Sequence, residues 1–195
     1  MLAAVILAAG ESRRMGSPKA LLPYQSHTFL EHLLGVTRHP KIGVVRVVLG
    51  AHAEEICGRL NLDPATVVVN ADWEQGQLSS IQAALRSLPA GASDGILLCL
   101  VDHPLVSAAI IAALIQQFYA SGKLIVLPTY KGKRGHPVIF ASSLYEELLA
   151  APLDKGARAV VWAHTAEVLE VPTAEEGVLL NLNDPETLRR ALESS

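Results

Sequence analysis

The sequence predicts an α/β protein with three α/β/α layers and a mostly parallel central sheet, organised as a single domain over residues 1–195. Three observations predict this class. Apolar runs rich in valine, isoleucine and leucine alternate with segments of helical period along the whole chain, the pattern of right-handed βαβ crossovers. Hydrophobic residues make up 50% of the chain and charged residues only 18%, which suits strands buried on both faces and excludes disorder. No repeat, low-complexity tract or linker interrupts the 195 residues, a length that can close one sizeable core.

The first strand is AAVILAA, 3–9. The N-terminus lacks a basic start, and its apolar run gives way to charges from Glu11 onward. That run is too short to span a bilayer, so it reads as a strand rather than a leader. Further strands are expected at 44–50 (VVRVVLG), 66–70 (TVVVN), 95–101 (GILLCLV), 124–128 (LIVLP), 137–140 (PVIF), 167–171 (EVLEV) and 178–181 (VLLN). Thr28 and Glu31 have capping-box spacing and open a helix with the stripe Phe29, Leu30, Leu33 and Leu34. Ile81, Ala84, Leu85 and Leu88 form a second helical stripe, and Ile110, Ile111, Leu114, Ile115 and Phe118 a third. Ser143 with Glu146 starts another helix, and Asp184-Pro185 reads as an N-cap followed by proline at the first helical position.

A net charge of −3 argues against a protein that coats nucleic acid or an acidic membrane. Cys57 and Cys99 fall in a helix-like and a strand-like segment with no Cys/His cluster at metal spacing. They read as small core residues of a reduced, cytoplasmic protein.

In open parallel sheets, ligands bind beyond the carboxyl ends of the strands. The informative residues lie there: Gly10 after the first strand, Asn70 after the third, Asp102 after the fourth, and Arg134-Gly-His136 before the sixth. The loop LAAGESRRMGSPK, 7–19, sets cations around small residues just as the first strand ends. It lacks the P-loop pattern, because Ser17-Pro18 follows Gly16, and it lacks G-x-G-x-x-G. Ala8, Ala9 and Gly10 are small enough to let backbone amides approach an anion. Arg14 can grip phosphate oxygens bidentately, and Lys19 can act as a mobile point charge. The plainer reading is a solvated turn with clustered cations. Asp102 likewise suits a turn before Pro104, and Ser79 and Ser80 suit a helix cap.

The full string L-A-A-G-x-S-x-R-M-G-x-P-K resembles the signature of nucleotidyltransferases of the nucleotide-diphospho-sugar transferase type, in their molybdenum-cofactor branch. The resemblance continues in NADWEQGQLSSIQAAL (70–85), LVDHPLV (100–106), KRGHPVIF (133–140) and NLNDPETL (181–188), in the family's order over almost the whole chain. It implies a Rossmann-like fold and an enzyme that joins the NMP part of an NTP to molybdopterin, releasing pyrophosphate. Arg14, Lys19 and Asp102 are then the catalytic residues, with Asp102 and Asn183 as ligands of Mg²⁺. The nucleotide falls to Leu7, Ala8, Ala9, Gly10, Arg14, Lys19, Asn70, Ser79 and Ser80, and the acceptor to His103, Arg134 and His136. The implied partners are the two small-molecule substrates and a recipient molybdoenzyme or its chaperone, with no nucleic acid and no membrane.

The chain departs from a single branch pattern. Its opening loop and SSIQAAL resemble the CTP-using cytidylyltransferases, while Asn181 and Asn183 resemble the amides of the GTP-using guanylyltransferases. Ala9 stands where the guanine-using branch has glycine, which predicts a preference for CTP. A sugar-phosphate nucleotidyltransferase and a non-catalytic nucleotide-binding subunit are the rival readings.

Overall fold

The computed structural model describes residues 1–184 and 186–189. Its strands are β1 (Leu2–Ala8), β2 (Pro23–Tyr24), β3 (His27–Thr28), β4 (Ile42–Leu49), β5 (Val67–Val69), β6 (Gly95–Leu100), β7 (Ile125–Tyr130), β8 (Lys133–Arg134), β9 (Val138–Ala141) and β10 (Val168–Pro172). Its helices are α1 (Phe29–Val36), α2 (Ala53–Arg59), α3 (Gln77–Ser87), α4 (Ala108–Ser121), α5 (Tyr145–Ala150) and α6 (Arg158–Ala163).

One sheet runs in the order β10-β7-β9-β6-β1-β4-β5, with β8 paired to β7, while β2 and β3 make a separate hairpin. The β1–β4, β1–β6, β4–β5 and β7–β10 pairs are parallel. Strand β1 is buried throughout, and its residues divide by alternation. Leu2, Ile6 and Ala8 join a core with Phe29 and Leu33 of α1, Ile56 of α2 and Ile111 of α4. Ala3, Val5 and Leu7 join the opposite core with Ile81 of α3, Leu148 of α5 and Val160 of α6. A strand covered on both faces has to be apolar at every position, which is what its sequence supplies. The expected three layers are therefore present.

Three expectations need correction, and within the mostly parallel sheet one strand is reversed. Strand β9 runs antiparallel between β6 and β7. Only residues 131–137 separate β7 from β9, and they already carry β8. A parallel return would need a longer connection. The run 178–181 is not a strand: a 3-10 turn covers Glu176–Val178 and no ladder follows. Val178 and Leu182 are fully buried, four residues apart, and the Val178 carbonyl accepts from His136 N at 2.9 Å. The apolar residues of this segment cover the end of the sheet instead of extending it. Cys57 is exposed on α2, whereas Cys99 is buried as expected. Ser143 lies within a 3-10 turn before α5 and makes no cap bond to it.

The capping box of α1 forms as expected, with Thr28 Oγ1 accepting from Glu31 N and Glu31 accepting from Thr28 N. The Asp184 carboxylate accepts from Thr187 N at 2.9 Å as an N-cap would; Pro185 lies outside the described residues. No helix among the described residues is long and apolar enough to cross a membrane.

Candidate active site

Strand β1 has β4 on one side and β6 on the other, so successive connections leave the sheet in opposite directions there. A crevice at the carboxyl ends follows from that topology. A cavity of about 340 Å³ occupies it, lined by Leu7, Ala8, Ala9 and Gly10 at and just beyond the end of β1 and by Leu100, Val101 and Asp102 at and just beyond the end of β6. Lys19 and Ser80 complete the predicted residues that reach it.

The opening loop turns back on itself. Ser12 and Gly16 adopt left-handed backbone (φ 56° and 69°), and Met15 N donates to Ser12 O at 2.8 Å. Ser12 Oγ then accepts from Lys19 N at 3.1 Å, which delivers the lysine to the cavity. Lys19 Nζ lies 3.3 Å from Asp102 Oδ2 and also donates to Asn183 Oδ1. The C-terminal segment is held there by Leu182 N, which donates to Asp102 O at 2.7 Å. One carboxylate oxygen and one amide oxygen thus converge on a single cationic group. That donor set suits a hard divalent cation, which prefers oxygen ligands. Among the described residues there is no group of three or more His, Cys, Asp or Glu that could hold a metal, so such an ion would draw its remaining ligands from substrate oxygens and water.

Arg14 sits elsewhere. It is exposed on the Arg13–Met15 turn and outside the cavity wall, and its charge helps hold the Asp184 carboxyl below its usual range after the larger effect of the Thr187 hydrogen bonds.

Asn70 and Ser79 act behind the wall. Asn70 is buried, donating from Nδ2 to Ser79 Oγ (2.9 Å) and Ser80 Oγ (3.0 Å), while its Oδ1 accepts from Asp72 N. Ser79 donates to the Asp72 and Gly76 carbonyls. Ser80 has no such acceptor among the described residues, and a hydroxyl that accepts from an amide keeps its own proton to donate.

Two glycines shape the rim. Gly76 precedes α3 with φ 98°, a conformation other residues avoid. At Gly50 a Cβ would lie 2.5 Å from Ala9 O and 2.7 Å from Trp73 Cβ, so only glycine lets Trp73 pack against the loop. Of the backbone groups expected to meet a base, the Leu7 carbonyl already accepts from Val101 N at 3.0 Å and the Ala9 carbonyl from Ala51 N at 3.1 Å.

His103 and His136 lie with ring centroids 5.0 Å apart, and the Nδ1 atom of each is buried without a partner among the described residues. Burial lowers both pKa values. That of His136 falls to about 4, with the neighbouring His103 adding to the effect. His136 is therefore neutral near pH 7 and supplies no charge to an anion. Arg134 is exposed and pairs with Glu170 at 2.8 Å. Arg134 and His136 line a second cavity of about 510 Å³ that shares Gln77 with the first.

Sequence reasoning singled out neither Gln77 nor Gly76. Their signal was present, since a glycine directly before a serine-rich helix start lies inside the quoted 70–85 stretch. Ile56, also in the first cavity's wall, carries no signal beyond an apolar position of a helix.

The MobA-like NTP transferase domain model matches residues 4–168. The chain is 36% identical to nicotine blue oxidoreductase of Paenarthrobacter nicotinovorans over 72% of this chain and 71% of that protein. It is 32% identical to a probable molybdenum cofactor guanylyltransferase of Mycobacterium avium, over 96% of this chain and 93% of the relative. The crystal structure of Rv0371c from Mycobacterium tuberculosis superposes with a TM-score of 0.84 at 32% identity, covering 98% of this chain and 97% of that one. A manganese complex of Rv0371c superposes with a TM-score of 0.75 at 30% identity, covering 100% and 99%.

Proposed function

The chain belongs to the MobA-like NTP transferase family, and from that premise we propose that it transfers the NMP part of a nucleoside triphosphate to the phosphate of a molybdopterin-type acceptor, with release of pyrophosphate. The observation that carries this reading is the convergence of Lys19, Asp102 and Asn183 at a cavity floored by Ala8, Ala9 and Gly10. An acceptor phosphate is already a nucleophile, so catalysis reduces to alignment and charge neutralisation at the α-phosphorus. Lys19 holds triphosphate oxygens and stabilises the departing pyrophosphate. Arg14, exposed on the turn outside the cavity wall, would attract the anionic triphosphate by its charge rather than grip it in the cavity. Ser80, set by Asn70, donates its hydroxyl to the nucleoside. Asp102 and Asn183 would hold Mg²⁺, which supplies Lewis-acid stabilisation of the phosphate charge when bound.

For the base, CTP is the proposed choice. The Ala9 methyl takes room from the cavity beside Leu7 and Ser80, and a purine needs more room than a pyrimidine. The Mycobacterium avium relative bears a guanylyltransferase's name, so GTP is the direct rival. The oxidoreductase name of the Paenarthrobacter relative favours a second reading, in which the cavity serves a nucleotide cofactor of electron transfer.

Pyrophosphate release, measured with each NTP and Mg²⁺ in the presence and absence of molybdopterin, separates these readings. Release that needs both substrates is expected, and none with any NTP would sink nucleotidyl transfer. With CTP and GTP competing for limiting acceptor, the cytidine dinucleotide should dominate; a guanosine product would reverse the base choice and leave the reaction standing.

A further inference from the structure

The 7–19 loop stands between two hollows. The cavity of about 340 Å³ lies on one side. A smaller one of about 270 Å³ lies on the other, against the start of α2, with Glu11, His52 and Glu55 in its wall. Ser12 and Pro18 border both. The turn after β4 holds the loop from the smaller side. Ala51 N donates to Ala9 O at 3.1 Å, and His52 Nε2 lies 2.9 Å from the Glu11 carbonyl oxygen. A carbonyl oxygen only accepts, so Nε2 carries the hydrogen of this bond. Two carboxylates stand nearby, and each has another partner. Glu55 lies 3.7 Å from His52 Nδ1 and is shared with Arg59, while Glu11 takes Arg13 Nε at 2.6 Å. His52 occupies the N-cap position of α2 but makes no side-chain cap bond, so its ring serves the loop rather than the helix.

A trans peptide is planar, with its C=O and N–H pointing opposite ways. With the Glu11 carbonyl turned toward His52, the Ser12 N–H that follows faces away from it, to the side where Ser12 borders the larger cavity. Among the described residues this N–H has no acceptor. The orientation also carries strain. Ser12 has φ 56°, left-handed backbone that a residue with a Cβ avoids. Turning the Glu11–Ser12 peptide over would release Ser12 into the extended region and present a carbonyl oxygen, not an N–H, to the cavity. Such a conformation persists only where surrounding contacts hold it, and the His52 bond is the contact on this carbonyl. We propose that His52 is a positioning residue: it locks the Glu11–Ser12 peptide so that Ser12 N–H donates to a phosphate oxygen of the nucleotide. His52 itself touches no substrate. The inference rests on the nucleotidyl-transfer reading and adds to it the side chain that preorganises an anion-binding amide of the loop.

Because the amide meets phosphate and not base, His52→Ala should weaken binding of CTP, GTP and base-free tripolyphosphate alike, each with Mg²⁺. Calorimetry should read a loss of about tenfold, the scale of one hydrogen bond to a charged group. His52→Gln, whose amide nitrogen can stand where Nε2 stands, should restore most of the affinity. In turnover the KM for nucleotide should rise in His52→Ala, with the KM for acceptor unchanged. NMR of the nucleotide-free protein reads the lock itself. The three-bond HN–Hα coupling of Ser12 should rise in His52→Ala, as φ leaves 56° for the extended region. Equal affinities in wild type and folded His52→Ala protein would overturn the proposal, as would a His52→Gln protein no better than His52→Ala, or a Ser12 coupling that does not move. A His52→Ala protein that only loses stability, with its affinity intact, would make the histidine a structural residue and overturn it too. Failure of the wider reading looks different. Nucleotide affinity that depends on His52, with no pyrophosphate released in the presence of acceptor, would sink nucleotidyl transfer and leave the lock standing.

Discussion

Lys19 Nζ lies 3.3 Å from Asp102 Oδ2 and donates to Asn183 Oδ1, so one ammonium joins oxygens contributed from the middle and the end of the chain. The lysine and aspartate side chains are only 15% and 21% exposed. In the free protein Lys19 is therefore the counter-ion of this pair, in the place a divalent cation would take.

A metal ion drawn to Asp102 and Asn183 must displace Lys19 or approach against its charge. Binding of Mg²⁺ to the free protein should be weak, and the Mg²⁺–nucleotide complex should bind much more tightly, because phosphates supply both anionic ligands and a new partner for the lysine. Lys19→Met, which removes the competing cation, and Asn183→Asp, which adds a charged ligand, should each strengthen metal binding by about tenfold, the scale of one modest surface Coulomb interaction. Calorimetric titration of Mg²⁺ or Mn²⁺ reads this directly. Identical weak isotherms in all three proteins would reduce Asn183 to a turn residue.

Turnover should depend on both Arg14 and Lys19 of the loop, though not equally. Lys19→Ala should lose roughly two orders of magnitude in pyrophosphate release, as when one charge-stabilising donor is removed. Arg14→Ala should lose less, since Arg14 stands on an exposed turn outside the cavity wall. A well-folded Lys19→Ala protein with undiminished release would defeat its assignment.

Asn70 ties the end of β5 to the start of α3 through Ser79 and Ser80. Asn70→Ala strips partners from buried polar atoms and should cost about 1–3 kcal/mol of stability. It should also raise the KM for nucleotide by freeing the Ser80 hydroxyl. Urea unfolding and steady-state kinetics check the two effects separately, and a variant as stable as wild type would show that the network contributes nothing.

The stability of the protein should fall on mild acidification. Burial, with His103 adding to it, moves His136 from its ordinary 6.5 down to about 4, so the unfolded chain takes up a proton that the folded one refuses. The stabilisation tied to neutral His136 is complete above about pH 6.5 and is lost as pH falls toward about 4, with a slope of up to about 1.4 kcal/mol per pH unit. His103 shifts in the same direction, chiefly through burial. Urea midpoints at about pH 7 and about pH 5 should differ more in wild type than in His136→Gln. Equal differences would show that the histidine does not couple to folding.

The sequence by itself determined the layers and pointed to the strand ends where the cavity lies. Strand β1 reads as apolar at every position because both its faces are covered, and α1 announces its start through the Thr28–Glu31 box; both signals are local and survive any tertiary arrangement. The loop after β1 and Asp102 after β6 were legible for the same reason, since ligands gather at strand ends whatever the order of strands. Only the tertiary structure decided the rest. The reversal of β9 follows from a short connection closing between β6 and β7. The run 178–181 had the composition of a strand but spends its apolar side chains capping the sheet, because the pairing partner of a strand is not written in its own residues. Lys19, Asp102 and Asn183 are far apart in the chain and are brought together as Lys19 N donates to Ser12 Oγ and Leu182 N donates to Asp102 O. Periodicity and chemistry are local properties of the chain, whereas contact across long sequence separation is fixed only when the core closes.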